Sequence, residues 1–283
     1  MMSTLMAILV NGHSPNDSAT AIAIDDRGLN YGDGLFETVL YRNGVVRLLE
    51  AHLQRLSEGC ARLGIAAPDS TQLRDEIRRV CATATDGVLK IVITRGAGAR
   101  GYRPAADLCA TRIVSLNALP PASSNPAVNL RWCETRLGRN TALAGMKHLN
   151  RLEQVLAQRE WNDPVIDEGL MLDSEGELVC ATMSNVFIVR NHAVVTPDLR
   201  FCGVRGIMRG EVLRAARELN IAVSEAALWP RDVENADEVF ITNVIRGVRS
   251  VAAIGPRRWP LGPVTERISS ALASTVAAAA SAP

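Results

Sequence analysis

The stretch Leu143-Ala-Gly-Met-Lys147-His-Leu-Asn-Arg-Leu-Glu-Gln-Val-Leu-Ala157 places one lysine directly before a segment with helical periodicity. Apolar residues repeat at helical spacing from Leu149, and Asn150 with Glu153 matches a capping box, so a helix is predicted from Asn150 onward. A lysine at such a boundary can point into a cleft, where a desolvated amine can form a Schiff base with a carbonyl. Most lysines are solvated surface charges, so this pattern alone leaves both interpretations of Lys147 open.

The composition is that of an ordinary soluble protein. The 283 residues are 47% hydrophobic and 22% charged, with a net charge of +1, which predicts two lobes and no nucleic-acid or acidic-membrane partner. The six cysteines form no CxxC pair and the four histidines are scattered, so we expect reduced thiols in the cytoplasm and no bound metal. Residues 1–10 do not match a signal peptide, and no segment reaches the length of a transmembrane span.

The order of predicted elements favours an α+β fold. Strands joined by hairpins alternate with helices; one hairpin is predicted at Asn11-Gly12, and apolar spacing predicts a helix over 48–63. The Pro- and Ser-rich segment 119–126 is the best linker candidate. It divides the chain into a smaller N-terminal α+β domain, 1–118, and a larger C-terminal domain, 127–283.

Two features could hold an anion. Gly203-Val-Arg-Gly206-Ile-Met-Arg209 leads into a predicted helix, and the amino end of a helix presents unpaired N–H groups, although a simple loop-to-helix entry explains the spacing equally well. Arg55 and His52 flank the apolar stripe of the 48–63 helix. Arg55 can therefore extend from a buried helix into a cleft or remain a solvated surface residue.

Four motifs together resemble one enzyme family. They are Tyr31-Gly-Asp-Gly-x-Phe-x-Thr38, Thr94-Arg-Gly-x-Gly-x-Arg-Gly-Tyr102, Arg136-Leu-Gly-Arg-Asn140 and the Lys147 segment. In this combination the chain resembles the 4-amino-4-deoxychorismate lyases, which belong to the fold type IV, D-amino-acid-aminotransferase-like family of pyridoxal 5'-phosphate enzymes. The resemblance implies a two-domain α+β fold, a homodimer, and a cofactor attached to Lys147, with most of the cofactor site in the C-terminal domain.

The resemblance also implies how the cofactor is held. The matching Gly-Ile-x-Arg turn of the family contributes backbone N–H groups to the phosphate, which here would belong to Ile207 and Met208. Arg55 stands in the His-x-x-Arg-Leu setting that the family places against the phosphate. Thr242 and Asn243 resemble a third, less specific contact on the phosphate side.

At the pyridine nitrogen this chain departs from the family pattern. Relatives usually carry a glutamate five residues before the asparagine of Ser-Asn-x-Phe; here that asparagine is Asn185 and the matching residue is Cys180. A carboxylate would keep the nitrogen protonated, whereas a thiol with an ordinary pKa of about 8.5 does this poorly. The nitrogen could be less protonated here, or a neighbouring side chain or water could replace the glutamate. Cys180 could also be merely a small buried residue.

The implied reaction converts 4-amino-4-deoxychorismate to 4-aminobenzoate and pyruvate for folate biosynthesis. Lys147 would remove the proton from the amine-bearing carbon, and Thr38 would donate a hydrogen bond or proton to the departing ether oxygen, unless it is an ordinary strand threonine. The substrate is a small molecule with two carboxylates, which favours cationic partners. Arg100 matches the family loop that reaches a carboxylate, with Tyr102 beside it.

Some assignments stay open. Arg139 and Arg27 are weaker candidates for the carboxylates, because loop arginines are generally only solubilising. An aminotransferase of the same fold, acting on D-amino or branched-chain amino acids, would share Lys147 and the phosphate site. A binding protein that keeps this fold but has lost catalytic activity is a more distant alternative.

Overall fold

In the computed structural model, which describes residues 4–14, 21–121 and 127–280, the chain forms two units. The first comprises residues 1–122 together with 146–150, and the second comprises 123–145 together with 151–283. Part of the predicted linker, residues 122–126, lies outside the described residues. The short segment 146–150, which carries Lys147, belongs to the first unit.

The first unit is built around an antiparallel sheet. Its elements are β1 (Leu5–Val10), α1 (Arg27–Tyr31), β2 (Gly34–Arg42), β3 (Val45–Val46), α2 (Leu49–Leu63), α3 (Ser70–Cys81), β4 (Gly87–Thr94) and β5 (Thr111–Asn117). Within the described residues the strand order is β1-β5-β4-β2-β3. The helix predicted over 48–63 is confirmed as α2. At the turn predicted at Asn11-Gly12, Val10 and His13 form an antiparallel bridge, while β1 itself pairs with β5; residues 15–20, where a second strand of this hairpin would continue, lie outside the described residues.

Strand β2 separates two environments by the period of two that every β-strand has. Leu35, Glu37, Val39 and Tyr41 are buried, and α2 packs on β2 with His52, Leu56 and Cys60 as buried residues. The residues between them in β2, including Phe36 and Thr38, are half-buried and lie on the other face. The sheet therefore has one face covered by α2 and one that remains accessible for a site.

The second unit contains a mixed sheet with helices. Its elements are β6 (Ala127–Trp132), α4 (Leu152–Gln158), β7 (Glu168–Leu172), β8 (Leu178–Ala181), β9 (Asn185–Arg190), β10 (Ala193–Pro197), α5 (Ile207–Glu218), β11 (Val223–Ala226), α6 (Pro230–Glu234), β12 (Glu238–Asn243), β13 (Gly247–Ile254), β14 (Arg257–Arg258) and α7 (Pro263–Ala280). The described strands run in the order β11-β10-β9-β12-β13-β6-β7-β8, and β14 pairs with β13. One apolar cluster joins α5 and α7 to the sheet around the stacked rings of Phe187 and Phe240, whose centroids lie 4.8 Å apart. The predicted α+β class is confirmed.

Helix α4 differs from the sequence prediction at its start. It begins at Leu152, not at Asn150, and the predicted capping box does not form. The Asn150 amide donates to the carbonyl of Gly32 at 3.1 Å, and the Glu153 carboxylate accepts from the N–H of Gly138 at 2.8 Å. Both side chains are thus bound by loop backbone. No described helix combines the length and the apolar character needed to cross a membrane.

Candidate functional site

Backbone hydrogen bonds fix Lys147 beside β2. The N–H of Phe36 donates to the Lys147 carbonyl at 3.0 Å, and the N–H of Leu149 donates to the Gly34 carbonyl, also at 3.0 Å. These hydrogen bonds place Lys147 opposite Phe36, as in two antiparallel strands. Residues directly opposite each other in that arrangement project to the same side of the sheet. The Lys147 side chain is half-buried, and its Nζ lies 4.2 Å from the centroid of the Phe36 ring. An ammonium over an aromatic face is attracted by the quadrupole of the ring.

Thr38 lies on this same face of β2, two residues beyond Phe36. Its register partner in β4 is Lys90, whose Nζ lies 5.7 Å from the Phe36 centroid. Two amines, one hydroxyl and one aromatic ring are therefore grouped on one face of the first unit. The sequence analysis did not single out Lys90. Its signal was a single charged residue within the apolar strand Val88-Leu-Lys-Ile-Val-Ile93.

Arg55 is held by the buried carboxylate of Glu37, which projects from the face of β2 opposite to that of Phe36 and Thr38. Its Nε donates to Glu37 Oε1 at 2.8 Å and its Nη2 to Glu37 Oε2 at 2.5 Å, while His52 Nδ1 lies 2.6 Å from the same Oε2. Burial acts to raise the pKa of Glu37, but the hydrogen bonds from His52 and Arg55 outweigh it and keep the pKa below its ordinary value. A bidentate pair of this kind fixes the guanidinium plane. Glu37 was missed by the sequence analysis.

The loop between β4 and β5 carries two of the predicted substrate residues. Arg100 is exposed and Tyr102 is 88% exposed. Arg27 is 3% exposed, and its guanidinium donates to the carbonyls of Gly101 and Tyr102. The structure thus places Arg27 of α1 against the loop that carries Arg100 and Tyr102, with its guanidinium bound to the loop backbone.

In the second unit the predicted anion turn leads directly into α5. Gly206 is the N-cap residue, no side chain caps the helix, and Ile207 and Met208 supply its first N–H groups. Asn185 clamps the turn: its Oδ1 accepts from the Gly206 N–H at 3.1 Å and its Nδ2 donates to the Val204 carbonyl at 2.9 Å. A Cβ atom on Gly206 would lie 2.1 Å from Asn185 Oδ1, so only glycine fits without a shift.

Thr242 and Asn243 lie next to this turn through the pairing of β12 with β9, where Thr242 faces Asn185. Thr242 Oγ1 donates to the Gly247 carbonyl at 2.9 Å. Asn243 Oδ1 accepts from the N–H groups of Ile245 and Arg246 at 3.0 and 2.8 Å. Both side chains therefore shape the turn between β12 and β13, beside the N-terminus of α5.

Cys180 lies in β8 opposite Met171 and is 8% exposed. Burial raises the pKa of its thiol to about 12, so the thiol is neutral at pH 7. The buried carboxylate of Glu168 accepts from Ser184 Oγ at 2.6 Å and from the Met183 N–H at 3.0 Å, and burial raises its pKa as well. The side chain at position 180 therefore supplies no negative charge.

Arg139 lies among acidic groups of its own unit. Its Nε donates to Asp173 Oδ2 at 2.7 Å, its Nη2 lies 3.1 Å from Glu177 Oε1, and its guanidinium carbon lies 4.3 Å from the Phe201 centroid. These contacts tie it to the hairpin between β7 and β8. Among the described residues no cluster of His, Cys, Asp or Glu has the arrangement of a metal site.

Comparison with known proteins decides the family. Residues 34–254 match the family described as amino-transferase class IV. This chain belongs to that family. It is 33% identical over 256 residues to the aminodeoxychorismate lyase of Vibrio harveyi, covering 88% of this chain and 94% of the relative. It is 30% identical over 270 residues to a putative branched-chain-amino-acid aminotransferase of Methanocaldococcus jannaschii, covering 93% and 94%.

Solved structures of class IV members show the same fold. The crystal structure of 4-amino-4-deoxychorismate lyase from Pseudomonas aeruginosa superposes with a TM-score of 0.89 at 42% identity, covering 94% of this chain and 98% of that chain. The family predicted from the sequence motifs is confirmed. Members of this class depend on pyridoxal phosphate, and the chain is an enzyme of this class.

Each unit, taken by itself, holds groups that suit one part of that cofactor. The first unit supplies an amine held on an aromatic ring and an arginine oriented by a buried carboxylate. The second unit supplies a helix N-terminus without a side-chain cap, preceded by a turn in which a Cβ would collide with Asn185. The amine suits the aldehyde of the cofactor, and the arginine and the helix N-terminus suit its phosphate.

Proposed function

We propose that this enzyme is a lyase that converts 4-amino-4-deoxychorismate to 4-aminobenzoate and pyruvate, a step that supplies folate biosynthesis. The observation that carries the proposal is the grouping of Lys147 and Thr38 on one face of β2, around Phe36. The reaction needs a base at the amine-bearing carbon and a hydrogen-bond donor at the departing ether oxygen, and this face offers one of each. The 42% identity to a solved lyase supports the same conclusion.

Pyridoxal phosphate would supply an electron sink for the carbon that loses its proton. Lys147 would hold the cofactor aldehyde, and its Nζ would then take the proton from the amine-bearing carbon. Thr38 Oγ1 would donate to the ether oxygen as pyruvate leaves. Phe36 limits the directions in which the Lys147 amine can point.

The phosphate of the cofactor would be bound by the N–H groups of Ile207 and Met208 and by Arg55. Glu37 keeps the Arg55 guanidinium in one plane, so less entropy is lost when an anion binds. Thr242 and Asn243 would support the phosphate side by shaping the neighbouring turn.

At the ring nitrogen we propose that the neutral thiol of Cys180 leaves the nitrogen less protonated than a glutamate would. An aminotransferase relies heavily on a protonated ring, because it must stabilise a carbanion and then reprotonate it at the cofactor. A lyase that expels a good leaving group relies on it less. A neutral side chain at position 180, where the family pattern has a carboxylate, therefore fits elimination better than transamination.

The two carboxylates of the substrate would be bound by cations of the first unit. Arg100 and Tyr102 are exposed on the loop after β4, and Lys90 adds a cation beside Thr38. Arg139 stays a weaker candidate, since two carboxylates already accompany it.

We also propose a cytoplasmic homodimer. Leu152, Val155 and Leu156 of α4 are large apolar side chains that the isolated chain leaves exposed. Such residues grouped on one helix favour burial against another protein surface, here a second copy of the chain.

Incubating the purified enzyme with enzymatically generated 4-amino-4-deoxychorismate should release 4-aminobenzoate and pyruvate in equal amounts. Elimination produces one of each for every substrate molecule consumed. Chromatography of 4-aminobenzoate and a coupled assay for pyruvate measure the ratio. Exchange between an amino acid and a keto acid without net pyruvate would contradict the proposal and identify an aminotransferase, as in the related putative branched-chain enzyme.

Replacing Thr38 with valine should slow pyruvate release by about a hundredfold, the typical contribution of a positioned proton donor. Valine keeps the β-branched shape and removes only the hydroxyl, so cofactor affinity should not change. Thr38→Ser is the matched control, because it restores the hydroxyl and should recover most of the rate. An unchanged rate in the valine variant would remove Thr38 from the mechanism.

A further inference from the structure

The segment 96–103, called here the 96–103 loop, combines exposed side chains with two glycines of positive φ. Arg100, Tyr102 and Arg103 are exposed. Gly96 has a φ of +91° and Gly101 a φ of +104°, a region that only glycine adopts readily. A glycine-rich loop of this kind loses much conformational entropy when it is fixed. If it is to present Arg100 in one position, other residues must hold its backbone.

Arg27 holds this backbone from α1. Its Nη1 donates to the Gly101 carbonyl at 2.8 Å and its Nη2 to the Tyr102 carbonyl at 3.0 Å. Its Nε donates to Asp33 Oδ2 at 3.1 Å. One planar guanidinium thus binds two successive carbonyls of the loop and one carboxylate, a geometry that lysine cannot reproduce.

Tyr31, at the other end of α1, adds a second connection. The Gly101 N–H donates to its hydroxyl oxygen at 3.0 Å. The Tyr31 ring lies 5.7 Å from the Tyr102 ring in an edge-on arrangement and 4.8 Å from the guanidinium carbon of Arg27. Both backbone groups of Gly101 are therefore bound by α1.

Asp33 orients the Arg27 guanidinium. Its carboxylate also accepts from Arg95 Nε at 2.7 Å and Nη2 at 3.0 Å. Burial acts to raise the pKa of Asp33, but the hydrogen bonds from Arg95 and Arg27 outweigh it, so its pKa lies below the ordinary value. The carboxylate is therefore ionised at neutral pH and keeps the fork of Arg27 directed at the loop.

We propose that Arg27 and Tyr31 are positioning residues, which fix the 96–103 loop so that Arg100 is presented to a substrate carboxylate. Arg27 acts through the loop and not by touching the substrate, since its side chain is buried and bound to backbone carbonyls. This inference rests on the proposed function, because it takes a dicarboxylate as the ligand of Arg100.

The test compares Arg27→Lys with Arg112→Lys. Arg112 makes a similar buried ion pair with Glu76 in the same unit, at 2.8 Å, and its guanidinium donates to Glu76 instead of to the loop. The probe is chorismate, which carries both carboxylates but lacks the amine, so that binding is measured without turnover. Arg27→Lys should raise its Kd by about tenfold to a hundredfold, the cost of a small misplacement of a binding group. Amide hydrogen exchange of residues 99–103 should become faster. Arg112→Lys should change neither.

A double-mutant cycle separates positioning from direct contact. In the Arg100→Ala variant, adding Arg27→Lys should cause almost no further loss of chorismate binding. The effects of two substitutions are not additive when one residue acts through the other. Additive losses, unchanged exchange of the loop, or no chorismate binding by the unmodified enzyme would each overturn the inference. If chorismate binding behaves as expected but no pyruvate forms from aminodeoxychorismate, the inference holds and only the proposed function fails.

Discussion

Replacing Lys147 with alanine is expected to abolish both the covalent attachment of pyridoxal phosphate and turnover, with a rate loss on the order of 10⁴-fold or more. The amine over the Phe36 ring would be both the group that binds the cofactor aldehyde and the base of the reaction. Its loss removes two functions that no neighbouring residue duplicates at the same position. Borohydride reduction followed by intact mass spectrometry measures the attachment, and pyruvate release measures turnover.

Lys90→Ala is the matched control for this experiment. Lys90 also lies over the Phe36 ring, at 5.7 Å, but it is exposed and projects from β4. We expect the control to keep the mass increment of the cofactor and to lose only affinity for the substrate carboxylates. A mass increment that persists in Lys147→Ala, or that disappears in Lys90→Ala, would show that the wrong lysine has been assigned.

Several elements could be predicted from the sequence because their signals are local. The apolar spacing over 48–63 predicted α2. Gly206 before an apolar-periodic segment predicted the start of α5. In each case one short stretch contains both the pattern and its end signal, so no distant partner was needed.

The contacts between side chains that form the site depend on strand register, which no local sequence pattern reveals. Lys90 faces Thr38 only because β4 pairs with β2 in one particular register. Glu37 binds Arg55 and His52 only because α2 packs on the buried face of that strand. These are contacts between residues 15 or more positions apart.

The local capping-box pattern also failed to predict the first residue of α4, because tertiary hydrogen bonds use the same side chains. Asn150 and Glu153 have the spacing of a capping box, yet Gly32 and Gly138 bind their side chains instead. A cap contributes only about 1 kcal/mol, so two hydrogen bonds to loop backbone can replace it. The helix then begins two residues later than the sequence predicts. A local motif of this strength predicts an element better than it predicts the element's first residue.

Gly206→Ala should weaken pyridoxal phosphate binding by about tenfold to a hundredfold, the free energy of one or two charge-assisted hydrogen bonds. The backbone conformation is not the obstacle, because φ at Gly206 is −65°, which alanine adopts easily. The obstacle is space: the added methyl would lie 2.1 Å from Asn185 Oδ1. Asn185 would have to move, and the turn would lose its bonds to the Gly206 N–H and the Val204 carbonyl.

Gly210→Ala in the next turn of α5 is the control, since nothing lies within 4 Å of its added methyl. Alanine there should stabilise the helix by about 0.5–1 kcal/mol and leave cofactor binding unchanged. Titrating apo-enzyme with pyridoxal phosphate and with pyridoxal separates the phosphate contact from the aldehyde contact. If Gly206→Ala weakens both ligands equally, or neither, the N-terminus of α5 is not the phosphate site. A loss confined to the phosphorylated ligand is expected, because the substitution disturbs only the turn that presents the N–H groups of Ile207 and Met208.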